Sequence, residues 1–375
     1  MQFGLADLGE NSANPVTGEV TPARQRLEQL AGLAVLAEEL GFDAFGVGER
    51  HSGSFLTSST GILLAVAAQR TKRIRLLPTV AVLPATDPVR TAEDYATLEI
   101  LSGSRIELVI GKGNDRYQME LFGITAENQW ERLREHYEVV RDLLAGVPVS
   151  RAPATRPELR DAISYPRPRA PIRIWHGSAS SRDSVLLAAT NGDPLFTANA
   201  LHERTVYAEL IELYRHSWVH AGHGTDPNQA TVAAGAGFFH VARTSQEARD
   251  QARPYLEGYL AQGLRALDDL DFHTLEDWIE RGPALIGSPA QIIDKILANH
   301  AAYGHVLQFF DLHNMKIPAP LVRASLELFA GECRDVINRE APGQAWPQPA
   351  STAVSAAHDT TDAVPGNPTG TEGGA

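Results

Sequence analysis

One cysteine, Cys333, serves a chain of 375 residues. No intrachain disulfide can form, and the expected setting is the reducing cytoplasm. No apolar run reaches the roughly 18 residues a membrane-spanning helix needs. The opening residues MQFGLADLGE lack the basic region of a secretory signal, so none is expected. Cations are in the minority: 33 Lys and Arg against 46 Asp and Glu give a net charge of −13. A polyanion such as nucleic acid is therefore a poor partner. No G-x-S-x-G motif occurs, which removes the usual support for acyl transfer. His216, His220 and His223 have helical spacing, but the pattern runs into Gly222 and Gly224. A solvated helix end is expected there, and no metal site.

What is present is ordinary globular sequence, 43% hydrophobic and 21% charged, arranged as alternating strand and helix signals. Gln2–Asp7 reads as a strand. Thr21-Pro22 opens a helix whose Leu27, Leu30, Ala34 and Leu40 share a face, and Gly41 closes it. Phe42–Gly48 is a strand and Ser58–Arg70 a helix. Further helices are read over Trp130–Leu144, Ser181–Asn191, Glu203–His220, Ser245–Ala261, Ala290–Ala302 and Ala319–Ile337. Further strands are read over Ile172–Trp175, Pro194–Thr197, Ala230–Ala242 and Val306–Leu312. About eight strand–helix units without a break in composition predict one α/β domain over residues 1–343, a (β/α)8 TIM barrel rather than an open doubly wound sheet. Two insertions interrupt it. Pro148–Pro171, rich in Pro and Arg, reads as a lid or mobile loop, and Gly263–Gly282 as a second irregular stretch. Residues 344–375, rich in Ala, Thr, Pro and Gly, read as a disordered tail.

The most informative unit is Arg75–Asn114. Leu76–Leu83 is a continuous apolar run stopped by Pro84, as a parallel strand covered on both faces reads. Asp87-Pro88 supplies a cap and a first-turn proline for a helix that ends at Gly103. Arg105–Ile110 is the next strand, and it delivers Gly111-Lys112-Gly113-Asn114 to its carboxyl end, where parallel α/β folds keep their ligands. Glycines on both sides of Lys112 let backbone amides approach an anion. The segment is not a Walker loop, because Asn114 stands where Ser or Thr is needed, and Arg116 replaces the third glycine of a dinucleotide fingerprint. In Gly177–Arg182, Ser180 and Ser181 again follow a strand and open a helix, whose free N–H groups suit a phosphate. Glu49-Arg50-His51 also ends a strand. It suits either proton handling and substrate orientation or an ion pair closing the barrel mouth.

These motifs, with Gly41–His51 (GFDAFGVGERH) upstream and Trp175–Phe196 downstream, resemble the luciferase-like, flavin-dependent monooxygenases. The resemblance implies that Lys112 and Ser181, with Asn114 and Ser180 beside them, hold the phosphate of FMN. It implies a non-proline cis peptide at Thr79-Val80 beneath the flavin ring. His176 would line the pocket, unless it is a structural histidine. Relatives often read Glu-His-His where this chain has Glu49, Arg50 and His51. The first of those histidines is catalytic in luciferases, so light emission from an aldehyde is not carried over. The scheme implied has two components: a separate reductase supplies reduced FMN, and with O₂ it oxygenates a small organic substrate. Relatives of this kind are commonly homodimers. Two rivals share the fold, a deazaflavin-dependent hydride-transfer enzyme and a non-catalytic flavin-binding protein.

Overall fold

The computed structural model describes residues 1–51, 53–262, 272–312 and 316–342. Eight parallel strands close into a barrel. In order round the wall they are β1 (Gln2–Asp7), β2 (Ala44–Val47), β3 (Arg75–Val82), β4 (Leu108–Gly111), β7 (Ile174–Ser178), β8 (Leu195–Thr197), β9 (Val232–Ala234) and β12 (Leu307–Asp311), which pairs back to β1. Around them run α1 (Ala23–Glu39), α2 (Thr60–Arg70), α3 (Pro88–Ser102), α4 (Arg116–Leu121), α5 (Gln129–Leu144), α6 (Arg182–Asn191), α7 (Arg204–His220), α8 (Ser245–Gln262), α9 (Leu275–Glu280), α10 (Pro289–Tyr303), α11 (Ala319–Leu328) and α12 (Arg334–Glu340). The expected TIM barrel is the fold found.

Alternation along the strands explains why they read as continuously apolar. One set of side chains, including Leu77, Val109, Trp175, Phe196 and Phe309, packs inside the barrel. The other set, including Leu76, Leu108 and Ile174, packs outward beneath the helices. Both faces are buried, as a parallel sheet requires. Asp87 caps α3 as expected, its side chain accepting from the amides of Val89 and Arg90 at 2.9 and 3.2 Å.

Three expectations need correction. Ala230–Ala242 is two strands, not one. After β9, Gly235 and Gly237 are drawn to the carbonyls of Thr197 and Asn199, and Phe238 takes a left-handed φ of 57°. The chain thereby leaves the barrel, and β10 (Phe239–Val241) pairs instead with β11 (Leu285–Gly287) outside it. Around this satellite ribbon Phe238, Leu256, Phe272 and Trp278 form a core of their own. Second, Pro148–Pro171 is neither a lid nor structureless. It contains an antiparallel ribbon, β5 (Val149–Arg151) and β6 (Leu159–Ala162), fastened along the outer side of α5 and α3. Arg151 pairs with Glu138 and, at 2.9 Å, with Asp142, while Glu99 accepts from the amides of Arg169 and Ala170. Third, Gly263–Gly282 is partly regular: Thr274 and Asp277 form a capping box that starts α9. Residues 263–271 and the expected tail lie outside the described residues. Among the described residues no helix is long and apolar enough to cross a membrane.

Candidate active site

The loops that leave the carboxyl ends of the strands define the mouth. Its floor is Thr79-Val80, and the bond between them is cis. Room for these side chains comes from glycines on neighbouring strands. A Cβ on Gly111 or Gly177 would lie 2.6 or 2.5 Å from a Val80 methyl, and one on Gly46 would lie 2.6 Å from the Thr79 methyl. Any larger residue at these three places would push into the floor. The Thr79 hydroxyl is buried and has no hydrogen-bond partner among the described residues.

Lys112 and the serine turn emerge side by side, because β4 and β7 are paired with Ile110 opposite His176. Gln129, at the start of α5, donates to the carbonyls of Lys112 and Gly113 at 2.8 and 3.1 Å, and the Lys112 ammonium lies 5.7 Å from the centre of the Trp130 ring. Across the strand pair, Ser178 Oγ accepts from the Ser181 amide at 3.1 Å and donates to its carbonyl at 3.0 Å. Ser181 is the cap of α6, accepting from Ser184, and Ser180 is exposed at the turn. Loop and turn together bring one cation and the start of a helix to adjacent strand ends.

The polar wall stands on β2. Glu49 is 8% exposed, accepts from the Val82 amide at 2.9 Å and lies 2.7 Å from His51 Nε2. The His51 ring in turn meets the edge of Phe122 at 4.7 Å between centres. Arg50 Nη1 donates to Asn114 Oδ1 at 2.9 Å, so Asn114 acts here as the clamp on Arg50. Burial pushes the Arg50 guanidinium down from its ordinary value, against the pull of Asp115, Tyr259 and Asp311. Burial pushes the Tyr259 hydroxyl up, and Glu10 and Asp311 push the same way.

His176, expected to line the pocket unless structural, takes the structural place. Along β7, Trp175 packs inside the barrel, so His176 faces outward. There its Nε2 lies 2.8 Å from Asp193, and its ring meets Tyr137 edge-on at 4.9 Å. The residue at the mouth is Gly177. Conversely, no local pattern in the sequence marks Tyr259, Asp115 or Ser178. Asp311 was legible in principle, as the last residue of a strand.

A parallel barrel with a glycine-flanked lysine, a serine-capped helix start and a polar wall at its carboxyl end is an α/β scaffold of the kind that keeps ligands there. The chain belongs to the luciferase-like monooxygenases, whose family profile matches residues 1–305, and it is accordingly an oxidoreductase. Limonene 1,2-monooxygenase of Rhodococcus erythropolis is 28% identical over 340 residues, 88% of this chain and 86% of that protein. The oxygenating constituent of 3,6-diketocamphane monooxygenase from Pseudomonas putida, solved with FMN, superposes with a TM-score of 0.73 at 22% identity, covering 89% of this chain and 97% of that one. Coenzyme F420-dependent tetrahydromethanopterin reductase of Methanopyrus kandleri superposes with a TM-score of 0.68 at 18% identity, covering 90% and 99%.

Proposed function

We propose that this protein is an FMN-dependent monooxygenase that takes reduced FMN from a separate reductase and uses O₂ to oxygenate a small organic substrate. The observation that carries the reading is the juxtaposition of the Lys112 loop and the Ser178–Ser181 turn on paired strands, beside a floor cleared by Gly46, Gly111 and Gly177. The residues present fit the group. A phosphate has amides, two serine hydroxyls and a cation to meet, and a ring laid on Thr79-Val80 would find one buried hydroxyl without a partner. When bound, reduced flavin supplies the electrons with which O₂ is activated.

Within that reading Lys112, Ser180 and Ser181 grip the phosphate, and the start of α6 adds its dipole. Val80, wedged against two strands, fixes the height of the floor. Glu49 holds the Nε2 proton of His51, which leaves Nδ1 as an acceptor toward substrate. Arg50, clamped by Asn114, orients an oxygen-bearing group of the substrate. Phe122, against His51, helps exclude water from the reacting edge.

The test compares flavins with and without the phosphate. Lys112→Ala and Ser181→Ala should each weaken FMN roughly ten- to hundredfold, the worth of a charge-assisted hydrogen bond, and leave riboflavin nearly unchanged. Equal losses for both ligands would refute the phosphate assignment. The F420-dependent structural neighbour supports a second reading, hydride transfer with a deazaflavin. Oxygen uptake with reduced FMN separates the two, since hydride transfer consumes none.

A further inference from the structure

Beside the mouth, where the loops leaving β8 and β9 meet the start of α7, the later turns of α10 and the link from α9 to β11, lies a small cavity open to solvent. Arg204, Arg281, His202, Asn199, Asn299 and Tyr303 line it, and no Asp or Glu does. Arg204 Nε donates to Asn299 Oδ1 at 2.7 Å, while its terminal nitrogens meet no acceptor among the described residues. Arg281 is divided between Glu203 and Asp277 at 3.3 and 3.4 Å, both outside the lining. Asn199 is only 4% exposed, yet its Oδ1 has no partner among the described residues. Behind the wall, the Lys295 ammonium donates to the carbonyls of Ile279 and, at 2.8 Å, Ala284. Burial, with Arg204 nearby, pushes it down to about 7. Glu203 and Asp277 offset Arg281 from outside the lining, which leaves Arg204, with no carboxylate beside it in the lining, as the source of positive potential, and α7 begins at this cavity.

We propose that this cavity is a second anion site, taking phosphate or the phosphate group of a larger ligand, separate from the flavin cradle. Arg204 and the first amides of α7 receive the oxyanion, and His202 and Arg281 close its sides. The Asn199 Oδ1 acceptor receives a P–OH or a neighbouring hydroxyl, a partner that hydrogen phosphate offers and chloride does not. Because the ligand bridges α7 of the barrel and the turn after α9, it ties the satellite ribbon to the barrel. None of this depends on which flavin occupies the mouth.

The experiment uses the full chain carrying Lys112→Ala, which weakens any phosphate binding at the flavin cradle, and reads the second site from the difference that Arg204→Gln makes in that background. Inorganic phosphate, added at constant ionic strength against chloride, should raise the melting temperature saturably. Arg204→Gln should weaken the fitted affinity about tenfold or more, as loss of a charge-assisted contact does. Arg281→Gln provides a second variant in case the first folds poorly. A phosphate effect no larger than that of chloride would overturn the proposal. So would unchanged affinity in both arginine variants. Tighter binding of glycerol 3-phosphate than of phosphate would assign the site to phosphomonoesters, and equal or weaker binding would assign it to the free ion.

Discussion

The Glu107 cluster at the amino ends of the strands and the polar groups around Thr79 at the carboxyl ends treat their hydrogen bonds differently. At the amino ends of the strands, Glu107 is 1% exposed and fully engaged. Arg75 pairs with it, Arg173 does so at 3.2 Å, and the Trp175 indole donates to its other oxygen at 2.6 Å. At the carboxyl ends and the loops above them, Thr79 Oγ1, Glu10 Oε2 and Gln118 Nε2 are buried with no partner among the described residues. A buried polar atom left alone costs about 1–3 kcal/mol, so a fold keeps few of them without reason. The Glu107 cluster fastens strands together; under the proposed function, the groups at the carboxyl end are left for a ligand. Charge density alone does not distinguish them, since both are rich in Arg and Glu. The carboxylate at the centre of the Glu107 cluster is satisfied and the Thr79 hydroxyl is not, although His305 Nδ1 at the amino end also lacks a partner among the described residues.

The largest expected effect breaks the closed end. Glu107→Ala would leave Arg75 and Arg173 facing each other in a buried place without their shared acid. Removing one partner of such a set costs about 3–5 kcal/mol. Urea denaturation should show that loss, with FMN affinity unchanged in the molecules that remain folded. A loss under about 1 kcal/mol would mean that the two ends do not differ in kind.

A second effect at the closed end depends on pH. His305, just before β12, is fully buried, with Nε2 3.1 Å from Gln308 Oε1. Burial, with His300 alongside, pushes its imidazole from 6.5 down to about 3. The unfolded chain therefore takes up a proton that the folded chain refuses. Stability from this group is complete above about pH 6.5 and falls as the pH drops toward 3. By pH 5 the loss should be about 2 kcal/mol. His305→Gln should flatten that part of the stability–pH curve, and an unaltered slope would show that the ring titrates elsewhere.

The same contrast explains what the sequence disclosed. Strands covered on both faces show as apolar runs, so the barrel was legible from units such as Leu76–Leu83, and Asp87-Pro88 marked the start of its helix. The cationic loop and the serine turn were legible because strand ends are where this architecture keeps ligands. His176 was misplaced because WHGS carries no alternation of polar and apolar residues to show which face each takes. Ala230–Ala242 looked like one strand because small apolar residues run through the point where the chain leaves the barrel. Tyr259 reaches Arg50 from a helix some 200 residues on, and no local pattern records that.

The smallest effect sharpens the comparison at the open end. In Thr79→Val a methyl replaces a hydroxyl that has no partner in the protein itself, at almost constant volume. Were Thr79 part of a fastening network like that of Glu107, the change would destabilise the chain. As a group held for a ligand, it should leave the unliganded protein equally stable or slightly more so, because a buried unsatisfied oxygen is removed. Reduced FMN should bind roughly three- to tenfold more weakly, the worth of one neutral hydrogen bond. Riboflavin should lose the same factor, since the floor meets the ring and not the phosphate, the reverse of the pattern for Lys112→Ala. Undiminished affinity for both ligands would show that the flavin ring does not rest on this residue, even if the phosphate assignment survived.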